Sequence, residues 1–337
     1  MNQSPPAGAP RPAPLPWWRA NGFILGLIGA VALAFLFPGP GARGGALQPE
    51  LVNNGGIALI LFLQGVSLAF EKIRGGAGNW RLHTLIQGYT FVVFPLVGLA
   101  LNAAVPFLWP GEPEAIRQGF LYLCVLPSTI STSVVLTAVA RGNTAGALFN
   151  AACSNLIGVF ATPLLVQLLM NRTGESGPVG PLLLKITLLT LVPFLLGMLL
   201  RPRAAAWVDA RKAWVGRISN ALILFIVYTA FCDSVRERIW ATHGAALTVR
   251  TGALVTGLFL LMSVLVYASC RALRLNRADL IAAYFCSVKK TLAMGVPLAV
   301  LIFGDRADLP LILLPIMFYH PLQLFLNGLL ASRWARD

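Results

Sequence analysis

Charged residues are scarce in this sequence: only 11% of its 337 residues are Asp, Glu, Lys or Arg, whereas 57% are apolar. A soluble domain carries about 25% charged residues, and no water-soluble core could hide this much apolar surface. The composition therefore excludes a soluble protein. It indicates an all-α integral membrane protein whose surroundings are the lipid bilayer.

Acids are scarcer than bases, with 12 Asp and Glu against 26 Lys and Arg, which gives a net charge of +14. The basic residues separate apolar stretches and do not form patches interleaved with aromatic residues, so we expect no nucleic-acid partner. The excess is better explained as loop charge that sets the orientation in the membrane. No carboxylate is expected deep in a span, because Glu71, Asp233 and Asp279 fall at span edges.

Cysteine and histidine are also few. The five cysteines show no C-x-x-C spacing, so the sequence predicts neither a disulfide framework nor a metal site, and no cofactor. His83 and His243 lie near predicted span ends, where we expect them to be in water. His320 lies in an apolar span, where it is either a proton carrier or a packed, hydrogen-bonded histidine.

Long apolar segments are abundant. The first twenty residues are rich in Pro and Ala, and we expect residues 1–20 to form a disordered tail. Ten segments near the ~20 residues needed to cross a bilayer follow, although the first is short and its flanks also suggest a signal peptide. They are 22–37, 51–70, 82–105, 118–140, 145–170, 181–200, 217–233, 247–270, 279–303 and 309–331.

The number of spans predicts internal symmetry. With both termini in the cytoplasm, the inner segments hold twice as many Lys and Arg as the outer loops, which favours this orientation in a cell membrane. Ten spans divide into two five-helix repeats, residues 21–172 and 173–337, and a repeat with an odd number of spans inserts in the opposite sense. Spans four and nine occupy matching positions, and both are interrupted by unusual residues.

Span four contains five hydroxyl side chains and a proline between Leu126 and Ser133. Broken backbone at membrane depth is tolerated only where it is buried or lines a cavity, and discontinuous helices of this kind form transporter binding sites. Two alternatives stay open, since hydroxyls also bond to their own helix and polar side chains also join helices. The candidate ligands are Thr129, Ser131, Thr132 and Ser133 in span four, Asn150, Ser154 and Asn155 in span five, and Gln87 and Thr90 on one face of span three.

Two adjacent lysines, Lys289 and Lys290, lie at the middle of span nine. Placing two lysines at the centre of a span costs about 5 to 7 kcal/mol, so at least one ammonium needs water, a polar group or an anion. A helix start or a pair reaching towards the headgroups is the alternative. Adjacent residues on a helix point about 100° apart, so both share one pocket only if the chain is unwound. We expect Lys290 to face the crossing of spans four and nine.

Several motifs resemble one transporter family. Leu126-Pro127 with the hydroxyl run, Ala140-Arg141-Gly142-Asn143 and Ala161-Thr162-Pro163 resemble the bile acid:sodium symporter superfamily. The segments 285–297 and 320–323 resemble its SBF-like subgroup more narrowly. The resemblance implies ten helices in a panel and a core domain, with helices four and nine unwound and crossing near the midplane. It also implies ion or substrate ligands, which correspond here to Ser131, Thr132, Ser133, Asn150, Ser154, Asn155, Ser287 and Thr291.

One departure from the family pattern concerns coupling. Sodium-coupled members carry a glutamate at the span-nine crossing, whereas this chain has two lysines, which would repel sodium. Sodium coupling is therefore not carried over, and coupling to sodium or to protons stays open.

The sequence favours a secondary transporter of a small organic anion, working by alternating access, with Lys289 or Lys290 as the central charge. It is expected not to be an enzyme. The alternatives are an intramembrane Ser-Lys hydrolase, although no G-x-S-x-G motif lies near Ser287 or Ser131, and a regulatory membrane protein that transports nothing. The substrate and the oligomeric state stay open.

Overall fold

The computed structural model describes residues 22–67, 78–170, 179–304 and 306–336, with side chains undescribed in 179–187 and 239–244. All regular structure in these ranges is helical. This confirms the all-α class. The predicted tail at 1–20, Glu71, the His243 side chain and most of the seam between the two predicted repeats lie outside the described part.

Twelve helices are labelled here in chain order. A single helical turn, Pro38–Gly41, follows the first, and α3 contains a π-helical turn at Tyr89–Val93. The helices are α1 Gly22–Leu36, α2 Pro49–Ser67, α3 Trp80–Leu108, α4 Glu114–Val125, α5 Ser131–Val139, α6 Thr144–Met170, α7 Val179–Ala210, α8 Lys212–Arg236, α9 Ile239–Ala272, α10 Arg277–Ser287, α11 Leu292–Phe303 and α12 Leu309–Trp334.

Seven helical segments in the described ranges are long and apolar enough to cross a bilayer. They comprise α3, α6, α8, α12, the later parts of α7 and α9, and the segment Arg277–Phe303 that spans α10 and α11. Helices satisfy their own backbone hydrogen bonds, as hydrocarbon surroundings require. The protein is thus a multi-pass membrane protein. The other three predicted spans correspond to the short α1, to α2 and to the pair α4 and α5, so the ten-span repeat stays a prediction.

The helices pack in two groups. The four-helix group consists of α1, α2, α7 and α8, in which α2 packs along α7 and α1 along α8. The eight-helix group contains α3 to α6 and α9 to α12. Close packing within the first group depends on small residues, because a Cβ on Gly65 would meet the carbonyl oxygen of Phe194, and one on Gly197 would meet that of Phe62.

A single carboxylate ties together three helix starts in the eight-helix group. Asp279 accepts hydrogen bonds from the side-chain amides of Asn79 at 2.8 Å, Asn143 at 2.7 Å and Asn276 at 2.8 Å. These asparagines precede α3, α6 and α10, and each also accepts a hydrogen bond from a backbone N–H of its own helix. Asp279 lies at the start of α10, as expected, yet it is buried. The junction fixes three helices that lead to the site described next.

Candidate functional site

The chain is broken between α4 and α5, at residues 126–130. Proline has no N–H and disfavours helical backbone in the residue before it, and Leu126, before Pro127, is extended with ψ 147°. Side chains of α6 hold the freed backbone. Ser128 N–H donates to Ser154 Oγ at 3.0 Å, and the Ser128 carbonyl accepts from Asn155 Nδ2 at 2.8 Å. Ser154 and Asn155 therefore stabilise the break.

A second break separates α10 from α11, at residues 288–291, and contains no proline. Gln323 of α12 takes the place of the missing helical partners: its Oε1 accepts from Lys290 N–H at 2.9 Å, and its Nε2 donates to the Lys290 carbonyl at 2.8 Å. Tyr319 donates its hydroxyl hydrogen bond to the Val288 carbonyl at 2.7 Å. Each break is thus supported by polar side chains of the long helix that follows it.

The two breaks contact each other reciprocally. Ser128 Oγ, in the first break, donates to the Cys286 carbonyl at 2.6 Å. Lys290 Nζ, in the second break, donates to the Cys124 carbonyl at 2.9 Å. Cys124 lies four residues before Ser128, and Cys286 lies four residues before Lys290. The two broken segments therefore exchange equivalent contacts. Helices α4, α5, α10 and α11 therefore meet at one point inside the eight-helix group.

Lys290 has all three ammonium N–H groups engaged. Its Nζ donates to the carbonyl oxygens of Leu126 at 2.8 Å, Cys124 at 2.9 Å and Thr90 at 3.3 Å. It also lies 4.0 Å from the ring centroid of Phe94. The side chain is fully buried. Because an ammonium has three donors, Lys290 offers none to a further ligand.

Lys289 is in the opposite situation. Its side chain is also fully buried, yet its Nζ has no hydrogen-bond partner among the described residues. His320 and Cys286 lie near it. The unpartnered ammonium is therefore that of Lys289, whereas Lys290, which the sequence predicts to face the crossing, reaches carbonyl oxygens at the first break.

The predicted hydroxyl ligands form a short network around the start of α5. Thr129 Oγ1 shares hydrogen bonds with Thr132 Oγ1 at 2.7 Å and with Ser133 Oγ at 3.1 Å. Ser133 also donates to the Phe285 carbonyl at 3.1 Å, while Ser131 is exposed. Ser133 thus joins the two broken segments, and Thr129 and Thr132 stay half-buried beside it.

The predicted ligands of the second break differ from each other. Ser287 is fully buried, and its hydroxyl has no partner among the described residues. Thr291 donates its backbone N–H to the Pro127 carbonyl at 3.0 Å, so its backbone joins the two breaks. Among the described residues in and next to the second break, Lys289 and Ser287 have fully buried side-chain polar atoms without a hydrogen-bond partner.

Gln87 and Asn150 belong to a neighbouring polar cluster. Gln87 Nε2 donates to the Asn150 carbonyl at 3.0 Å and to its Oδ1 at 3.3 Å. Asn150 Nδ2 shares a hydrogen bond with His83 Nδ1 at 2.9 Å. The expectation that His83 lies in water is wrong, because His83 is half-buried against Asn150 in this cluster. Sequence reasoning missed it because packing of α6 on α3, rather than local hydropathy, buries the ring.

Thr90 reaches the site through its backbone. Its hydroxyl donates to the Ile86 carbonyl at 2.8 Å on its own helix. This is the alternative to ligand binding that the sequence left open for hydroxyl side chains. Its carbonyl accepts from Lys290.

His320 is packed, since its Nδ1 shares a hydrogen bond with Gln323 Nε2 at 3.1 Å.

Comparison with known proteins identifies the family. Residues 21–336 match the model of the SBF-like CPA transporter family. The chain belongs to that family. This confirms the resemblance stated from the motifs, and it makes the protein a member of a transporter family.

Three relatives match the SBF-like chain along nearly its whole length. An uncharacterised protein of Pseudomonas aeruginosa is 40% identical and covers 95% of both chains. YfeH of Escherichia coli, whose name describes it as a candidate symporter, is 37% identical over 94% of this chain and 93% of its own. Sodium/bile acid cotransporter 7 of Xenopus tropicalis is 30% identical over 93% of this chain and 91% of its own.

One spacing in the SBF-like chain bears on the hydrolase alternative. Ser287 and Lys290 are three residues apart, the S-x-x-K spacing of some Ser-Lys enzymes, which the motif search in the sequence had wrongly taken as absent. The Lys290 ammonium donates to three carbonyls and so has no free donor or lone pair for the Ser287 hydroxyl. The spacing is therefore present without the contact that such chemistry requires.

Gln323, Tyr122 and Tyr319 are the residues of the SBF-like site that sequence reasoning missed. Tyr122 donates to the Gly295 carbonyl, which joins α4 to α11, as Tyr319 joins α12 to the second break. The available signal was the position of Gln323 in an apolar span, three residues after His320.

Proposed function

We propose that the protein is a secondary transporter of a small organic anion, with Lys289 as the group that binds the anion. The observation that carries this proposal is the fully buried Lys289 ammonium without a partner among the described residues, next to the contact between two helix breaks. An uncompensated buried charge is strongly destabilising. A carboxylate or another anionic group would supply the missing partner.

Helix orientation favours the same class of substrate. Helices α5 and α11 begin at the two breaks, and the N-terminus of a helix carries a partial positive charge with free N–H groups. Half-helix N-termini pointing at anionic groups are a recurrent feature of transporter sites. Thr129, Thr132 and the exposed Ser131 lie at the first of these termini and are the proposed hydroxyl ligands.

The relatives are consistent with transport and leave coupling open. One is named as a sodium/bile acid cotransporter and one as a candidate symporter. We do not carry sodium over to this chain, since two ammonium groups lie beside the crossing. The proposed protein is a carrier with sodium or proton coupling undecided, and it is not an enzyme.

We further propose ten spans arranged as two inverted five-helix repeats. The reciprocal contacts of the two breaks support this arrangement, because Ser128 and Lys290 make equivalent bonds to Cys286 and Cys124. With α1, α2 and the pair α4 and α5 as additional spans, both termini lie in the cytoplasm of a cell membrane. A tag at Asp337 is then reachable only after the membrane is permeabilised, and labelling of intact cells would contradict it.

Uptake into proteoliposomes tests the function. Purified protein is reconstituted and offered labelled monocarboxylates, dicarboxylates and a conjugated bile acid, with an imposed sodium or proton gradient or with none. We expect saturable uptake of at least one of these anions. Lys289→Met removes the charge and keeps the length, and its affinity should fall about 10- to 100-fold, since a charged hydrogen bond contributes about 1.5 to 3 kcal/mol.

The matched control is Lys212→Met, an exposed lysine at the start of α8. It should transport as the wild type does. A hydrolase would release product without a gradient, and a regulatory protein would move none of the anions. If the wild type transports an anion and Lys289→Met retains the same affinity for it, the role of Lys289 is refuted.

A further inference from the structure

We propose that Lys290 is a tethered cation: its ammonium fills a cation site that the backbone would otherwise leave open to a small monovalent cation. The proposal rests on the packing of the crossing and does not depend on which anion is transported. Three carbonyl oxygens and one aromatic face surround Nζ at 2.8 to 3.3 Å and 4.0 Å respectively. Carbonyl oxygens and aromatic faces are both ligands for cations.

The carbonyls converge because two helical irregularities, the end of α4 and the π-helical turn of α3, meet there. Cys124 lies in the last turn of α4, where carbonyls lack helical partners, and Leu126 is already in the break. Thr90 lies in the π-helical turn of α3, where the helical hydrogen-bond pattern changes. The C-terminus of α4 adds the negative end of its dipole. In surroundings without water, these oxygens need a positive charge or hydrogen-bond donors.

The rest of the crossing supports this assignment. The corresponding end of α10 is satisfied by neutral donors: Ser128 Oγ reaches Cys286, Ser133 Oγ reaches Phe285, and Tyr319 reaches Val288. Only the end of α4 receives an ammonium within the described residues. Gln323 holds the backbone N–H and C=O of Lys290, and the three carbonyl oxygens hold its ammonium. Both ends of the lysine are therefore fixed. The tether makes the crossing independent of any cation taken from solution.

Chemical rescue tests the proposal. Lys290→Ala keeps Cβ and removes three methylenes and the ammonium, a volume that propylammonium matches. We expect this variant to have a lower melting temperature in detergent than the wild type. Propylammonium present throughout extraction and purification should recover most of the loss, whereas propanol at the same concentration and ionic strength should not.

Two comparisons make the test specific. Lys290→Met fills the space without a charge, so it should be destabilised yet insensitive to propylammonium, and the wild type should be insensitive as well. Potassium or sodium ions should stabilise Lys290→Ala more than tetramethylammonium does, since the latter is too large for three converging carbonyls. The proposal is overturned if propanol rescues as well as propylammonium, or if Lys290→Met melts at the wild-type temperature.

A second variant decides the matter if Lys290→Ala does not fold even with propylammonium. Phe94→Leu removes the aromatic face and leaves the lysine and the carbonyls. It should lower the melting temperature more than Phe194→Leu, the same change at an equally buried phenylalanine of α7. Equal losses in the two variants would show that the ammonium gains nothing from its surroundings, and the tethered-cation assignment would fail.

Discussion

Two adjacent lysines with the same chemistry have different surroundings in this protein because the backbone between α10 and α11 is unwound. Lys290 is bound by three carbonyls, whereas Lys289 has no partner among the described residues. Burial of an ammonium costs several kcal/mol, and hydrogen bonds offset that cost only where they are made. The structural role of Lys290 and the ligand-binding role that we propose for Lys289 would thus fall on different residues, which the sequence could not separate.

Gln323 is the residue on which the second break depends most directly. Gln323→Leu keeps a similar volume and leaves the buried N–H and C=O of Lys290 unpaired. Each such group costs about 1 to 3 kcal/mol, so we expect a loss of roughly 2 to 6 kcal/mol in the free energy of unfolding. Thermal unfolding in detergent measures it.

Gln64→Leu is the matched control for this change. Gln64 is half-buried and donates one long hydrogen bond, 3.4 Å to the Ala293 carbonyl. It should therefore lose much less stability than Gln323→Leu. Equal melting temperatures for the two variants would show that the Gln323 amide is not needed to hold the break.

At the scale of residues, the sequence pointed to individual polar side chains but not to the groups that they contact. It selected Lys289, Lys290 and the hydroxyls near Pro127 because polar groups stand out in apolar spans. It could not anticipate that Thr90 would contribute a carbonyl, or that Asn155 would hold the backbone of Ser128. Those partners depend on how helices distant in the chain pack against each other, which periodicity and composition do not report.

At the scale of helices, the first break requires close packing against α6. A Cβ on Gly158 would lie 2.6 Å from Pro127 Cγ and 2.7 Å from its Cβ. Neither atom belongs to a flexible side chain that can rotate away. Gly158→Ala should therefore displace the break, at a cost of about 1 to 3 kcal/mol typical of overpacking, and should reduce anion uptake as well as the melting temperature.

Gly252→Ala, in α9, provides the control, since a Cβ there meets no heavy atom within 4 Å. Alanine favours a helix over glycine by about 0.5 to 1 kcal/mol, so this variant should be as stable as the wild type or slightly more stable. A Gly158→Ala protein that melts and transports like Gly252→Ala would refute the packing argument.

Helix positions were easier to predict than helix contacts. The predicted span 82–105 corresponds to Trp80–Leu108, 145–170 to Thr144–Met170, and 309–331 to Leu309–Trp334. Hydropathy alone determines these, because a bilayer requires long apolar helices. The break at Pro127 also follows from local chemistry. The second break lacks a proline, and there only the two lysines signalled an irregularity.

At the scale of the whole molecule, the two helix groups are the moving parts that we propose for transport. Contacts between them include that of Gln64 in α2 with Ala293 in α11. Helix α11 begins at the second break, so motion of one group relative to the other would change access to Lys289. Rocking of one helix group against another around a fixed site is a known route to alternating access.

A cleavable cross-link between the groups tests this motion. In a background whose five native cysteines have been replaced and which still transports, Gln64→Cys and Ala293→Cys are joined by a short bifunctional thiol reagent. We expect uptake to fall in proportion to the cross-linked fraction and to recover when the reagent is cleaved. The control pair, Asn53→Cys with Thr229→Cys, joins α2 to α8 within the four-helix group, where the side chains are 3.1 Å apart. Because that link connects helices that are proposed to move together, it should leave uptake unchanged. If the protein with Gln64→Cys and Ala293→Cys still transports fully when all of it is cross-linked, rocking between these two groups is ruled out.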